Sequence, residues 1–133
     1  MSDRAVLLIV ADSRLLLVHR RKGGQEYHVL PGGGIEPGET PEGAAMRESL
    51  EETGLVVVLG ERLATLENGT RREHYFRVAS FTREPAIGGP ERDRQSDDNQ
   101  YALVWVTLAE LETVPLRPEA ARGVCRALLG SLQ

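Results

Sequence analysis

The chain has 133 residues, of which 41% are hydrophobic and 27% charged, with a formal net charge of -4. That length suits one domain around one core, residues 1–133, and the composition excludes fibrous, disordered and disulfide-stapled classes. The negative balance argues against a long nucleic acid as partner, because that grip depends on an excess of Lys and Arg.

The apolar run Ala5–Ala11 is too short to span a bilayer. It follows Asp3 and Arg4 rather than a basic leader, so a cytoplasmic protein without membrane association is predicted. Val6–Val10 and Leu15–Val18 are apolar runs separated by Ala11–Arg14, a pattern that predicts paired strands. Arg20–Glu26 is polar and holds Gly23 and Gly24, and is read as a loop. Tyr27–Leu30 is read as a short strand ending at Pro31.

Thr40, Pro41 and Glu42 form a helix start: a capping hydroxyl, a proline suited to the first helical position and an acid at the positive end of the dipole. The predicted helix runs through Ala44–Glu52 and stops at Gly54, a residue suited to the left-handed position after a helix. Leu55–Leu59 and His74–Phe81 are predicted strands, and Arg83–Asn99 a long exposed connection. Tyr101–Val106 returns to strand character. Pro118–Leu129 predicts an amphipathic helix carrying the sole cysteine, Cys125, as a buried inert thiol. Strands interleaved with helices predict a mixed sheet flanked by helices.

On a helical wheel at about 100° per residue, Glu48, Glu51 and Glu52 share one face spread over roughly 100°. Met46 and Leu50 fall near the opposite side, where they are expected to pack on the sheet. Each like-charge pair at this spacing costs about 0.2–0.5 kcal/mol in a bare helix. A hard cation such as Mg²⁺ would relieve that repulsion through oxygen ligands. A solvated acidic helix without a ligand accounts for the three glutamates as well. The preceding loop favours the metal: Pro31–Glu39 contains Gly32, Gly33, Gly34 and Gly38, and glycine lets the backbone approach a ligand closely.

Gly33, five residues, Glu39, seven residues, and then the run Arg47-Glu48-Ser49-Leu50-Glu51-Glu52-Thr53-Gly54-Leu55 resemble the Nudix box. Leu15–Arg20, the entry Leu30–Gly33, and Trp105-Val106 before a short acidic helix widen the resemblance to a Nudix domain. The resemblance implies an α/β fold, an α/β/α sandwich with a mixed β-sheet. It implies an enzyme, a pyrophosphohydrolase using Mg²⁺, with Mn²⁺ as a substitute. Glu48, Glu51 and Glu52 would bind the metal with the carbonyl of Gly33. Glu39 and Arg47 would form an ion pair tying loop to helix, Gly54 would end the motif, and Glu48 or a neighbouring carboxylate would take the proton of the attacking water. Ser49 departs from the family's aliphatic residue, so looser helix packing is expected there. Asp97 or Asp98 would supply the additional acid that many relatives carry before the Trp.

The expected reaction is hydrolysis of a nucleoside diphosphate linked to another moiety. Relatives acting on sugar diphosphates and dinucleoside polyphosphates carry a proline or tyrosine soon after the box. This chain has no proline between Pro41 and Pro85, and Tyr75 comes late. An ordinary or oxidised nucleoside triphosphate is therefore the expected small-molecule substrate. Arg20, Arg21 and His28 are the candidate substrate contacts. Lys22, Arg71 and Arg72 could also meet phosphate, and Tyr27 could stack on a base. The alternative is a nucleotide-sensing Nudix module without turnover. A prenyl-diphosphate isomerase would need a reactive cysteine, which Cys125 in a packing helix does not supply. Many relatives dimerise, which leaves a homodimer open.

Overall fold

The structure is a computed structural model and describes residues 3–82 and 99–132. Its elements in chain order are β1 (Arg4–Leu8), β2 (Val10–Ala11), β3 (Arg14–Lys22), β4 (Gln25–Val29), β5 (Gly32–Gly34), α1 (Pro41–Thr53), β6 (Val56–Asn68), β7 (Arg71–Thr82), β8 (Asn99–Val106), α2 (Leu108–Leu111) and α3 (Ala121–Gly130). The expected connection Arg83–Asn99, with Asp97 and Asp98, lies outside the described residues except at Asn99, which opens β8.

The strands form two four-stranded sheets. One is mixed, in the order β5-β1-β7-β6, with β1 and β7 parallel and the other pairs antiparallel. In the other, β3 pairs β2, β4 and β8, all antiparallel. Alternation along β1 sends its side chains to two cores. Ala5, Leu7 and Ile9 pack with Ala44 and Ala45 of α1, and Val6 and Leu8 pack with Ala121, Cys125 and Leu129 of α3. Helices thus cover both faces of the central strand, as the α/β/α expectation requires.

The segment read as a loop over Arg20–Glu26 is instead a hairpin. β3 runs to Lys22, Gly23 and Gly24 turn with φ of 58° and 78°, and β4 begins at Gln25. Positive φ at both central residues gives the turn whose twist matches paired strands. Pairing with β4 on one edge and β8 on the other holds this charged stretch extended, overriding its polar composition. Likewise β6 continues to Asn68, well past the predicted end at Leu59, because it pairs β7 through three register shifts.

The face of α1 differs from expectation. Met46 and Leu50 are 46% and 47% exposed, while Ala44, Ala45, Ser49 and Thr53 are buried. Small side chains let the helix lie close to β1 and β6, and a bulky pair on that face would hold it away. Ser49 is not loosely packed. Its hydroxyl lies 3.3 Å from that of Thr53 and donates to the Leu55 carbonyl at 3.2 Å, pinning the helix end to the strand that follows.

Candidate active site

Local chemistry sets both ends of α1. Thr40 accepts from the Gly43 amide at 3.0 Å, Pro41 begins the helix, and Gly54 closes it at φ 76° with its amide donating to Leu50. Glu48, Glu51 and Glu52 therefore project toward β5 and the loop after it.

Arg47 organises this end. Its guanidinium makes a two-pronged contact with Glu39, both bonds at 2.8 Å, and donates to the Gly34 carbonyl at 2.9 Å. The same group reaches Glu48 at 2.9 Å and Glu51 at 3.2 Å. Glu39 also accepts from the Glu36 amide, and the Arg47 contact holds its carboxyl well below the usual range, at about 2. Glu48 is pushed the other way, because burial disfavours its charge more than Arg47 restores it. Glu52 is 9% exposed and accepts from the Gly32 amide at 3.0 Å.

Gly33 lies directly against Glu48: a Cβ there would overlap the carboxylate. Gly32, Gly33, Gly34, Glu36, Arg47, Glu48, Glu51 and Glu52 line one cavity of about 410 Å³ together with Arg4 and Arg20. Among the described residues, no three His, Cys, Asp or Glu groups stand close enough as placed to hold an ion. The donor set nonetheless fits a hard divalent cation in kind. It offers three carboxylates and a backbone carbonyl, and a glycine leaves room for one of them.

A second cavity of about 410 Å³ adjoins the first, sharing Arg4, Arg20 and Glu52 with it. It is also lined by Tyr27, Asn68, Arg71, Glu73, Tyr75 and Arg117. Of the predicted substrate contacts, Arg20 is here, donating to the Tyr101 hydroxyl at 2.7 Å with its guanidinium 4.5 Å above that ring. Arg21 and His28 line neither cavity. Strand alternation turns them to the opposite face, where Arg21 meets Glu26 at 3.7 Å and His28 stacks on His19 at 4.6 Å. Tyr27 does face the cavity, covered by Arg117 at 4.0 Å.

Arg4, Glu73 and Arg117 were missed as site residues. They stand in unrelated stretches, and only the pairing of β1 with β7, together with the approach of the 115–117 segment to β4, brings them to one cavity. An arginine entering an otherwise apolar strand, as at Arg4, was the available signal.

A family model described as the NUDIX domain matches residues 1–127. The chain belongs to the NUDIX family. It is 48% identical over 71 residues to diphosphoinositol polyphosphate phosphohydrolase 3-alpha of Mus musculus, covering 53% of the chain and 43% of that relative. The match thus spans less than half the length of that relative. Among solved structures, a MutT NUDIX hydrolase from Burkholderia pseudomallei is 27% identical with a TM-score of 0.74, covering 93% of this chain and 95% of that one. A MutT structure from work on Aliivibrio salmonicida and Vibrio cholerae is 21% identical with a TM-score of 0.76, covers 98% of each chain, and shows likeness of fold.

Proposed function

We propose that the chain is a Mg²⁺-dependent pyrophosphohydrolase acting as a single domain on a diphosphate bridge. The observation that carries this reading is the cavity in which Gly33, cleared of any Cβ, faces Glu48 beside Glu51 and Glu52. These four residues would hold the cation, with Mn²⁺ able to substitute. When bound, the ion neutralises the bridging phosphates and activates a water. Glu39 fixes Arg47, and Arg47 fixes the loop through the Gly34 carbonyl, so the carboxylates are presented from a rigid frame. Arg47 also screens the repulsion between Glu48 and Glu51. Glu48 or a neighbouring carboxylate would accept the water's proton.

A nucleoside triphosphate, ordinary or oxidised, is the first substrate reading, since the sequence lacks the features of the sugar-diphosphate and dinucleoside branches. A diphosphoinositol polyphosphate is the second, favoured by the relatives' names and by the arginines of the adjoining cavity. Incubation with Mg²⁺ and a wide panel of diphosphates in ¹⁸O-water, read by mass spectrometry, tests the activity and locates the phosphorus attacked. Saturable nucleotide binding with no product from any compound would favour a nucleotide-sensing module instead.

A further inference from the structure

Part of the wall of the second cavity belongs to neither helix nor strand. It is supplied by Arg117 and Pro118, in the segment that joins α2 to α3. This segment lies along β4 as a strap. The His28 amide donates to the Pro115 carbonyl at 2.7 Å, and the Arg117 amide donates to the His28 carbonyl at 2.9 Å. Leu116, between them, is 4% exposed and packs in the core beneath α3. The strap so placed carries Arg117 over Tyr27, where its guanidinium also donates to Gln25 at 3.2 Å.

Both feet of the strap end on one side chain. Arg122, in the first turn of α3, donates to the Val114 carbonyl at 3.0 Å on one side of it. On the other side the same guanidinium meets the Glu119 carboxylate at 2.6 and 2.8 Å. It donates as well to the Leu111 carbonyl at the end of α2. A planar fork with donors fixed in several directions can reach these acceptors together, which an ammonium on a flexible stem cannot. The Arg122 side chain is 13% exposed, so a carbonyl abandoned beside it would lose its partner away from bulk water. Arg126, one turn further along α3, pairs with Glu112 at 2.7 and 2.9 Å instead.

We propose that Arg122 is a positioning residue for substrate binding: by pinning Val114 and Glu119 it holds Arg117 and Pro118 in place as a wall of the second cavity. This rests on the pyrophosphohydrolase reading, with the substrate reaching from the acidic cavity into the adjoining one. Arg122 lines neither cavity, so its effect passes through the strap. Loss of the pin leaves the carboxylates of α1 where they are, and therefore weakens binding while sparing the chemical step.

Amide exchange read by NMR tests the pin, and steady-state kinetics test its consequence. In Arg122→Gln the His28 and Arg117 amides should exchange roughly tenfold faster than in wild type, with the Leu7 amide of the central strand unchanged. With Mg²⁺ and the compound of the diphosphate panel that wild type turns over fastest, KM should rise roughly tenfold and kcat stay within about twofold. Arg126→Gln should leave exchange and both constants within about twofold of wild type. Glu119→Gln releases the exposed foot alone and should shift exchange and KM in the same direction by roughly threefold, which keeps the test open where Arg122→Gln fails to fold. Unchanged exchange at His28 and Arg117 overturns the pin. Faster exchange with an unchanged KM overturns the role in binding. A wild type that forms no product from any compound of the panel overturns the hydrolase reading instead, with the exchange rates still judging the pin.

Discussion

A methyl group on Gly33 would occupy the space of the Glu48 carboxylate, so Gly33→Ala has to displace the side chain proposed as ligand and proton acceptor. Activity should fall about a hundredfold, the scale of a small misplacement of reacting groups. The melting transition should remain cooperative. Full activity in Gly33→Ala would show that the position of Glu48 is not critical. Glu39 makes a different prediction. Its carboxyl value falls from an ordinary 4.5 to about 2 through Arg47 and then the Glu36 amide. Because the folded value is the lower one, the stability Glu39 contributes is fully present above the ordinary value and disappears as pH falls through about 2. Glu39→Gln should therefore be less stable than wild type at neutral pH, and the difference should close over the interval from 4.5 to about 2. Urea midpoints measured at a series of pH values give this comparison; a pH-independent gap would remove the ion pair from the account.

Helix α1 and its caps were legible from residue chemistry, because a capping hydroxyl, a proline and a closing glycine act within a few residues. Gly54→Ala should cost about 1 kcal/mol, since alanine is strained at a φ of 76°. An unchanged urea midpoint would argue against that strain. The face on which the helix packs was less legible. A wheel drawn on hydrophobicity selects Met46 and Leu50, but closeness to β1 selects Ala44, Ala45 and Ser49. Side-chain size, set against a particular neighbour, decided the orientation, and hydrophobic pattern alone carries no information about that neighbour.

Across the whole molecule, the two cores lie on opposite sides of β1, and Cys125 is fully buried in the one beneath α3. Burial pushes its thiol up to about 12. The native protein should accordingly resist a thiol reagent at neutral pH and react at the rate of a free cysteine once unfolded in urea. Rapid labelling of the folded chain would contradict this packing and reopen the isomerase alternative.

The sequence by itself determined the helix with its caps, the acids and glycines of the box, and the inert cysteine. These follow from local spacing, backbone preference and the periods of helix and strand. Only the tertiary structure decided that Arg20 faces a cavity while Arg21 and His28 face away, because that depends on where β3 pairs. It alone joined Arg4, Arg71, Glu73 and Arg117 into a second, basic cavity beside the acidic one. Residues separated by most of the chain become neighbours only through strand pairing and chain packing, and charge on a strand does not disclose which sheet face, or which partner, it will meet.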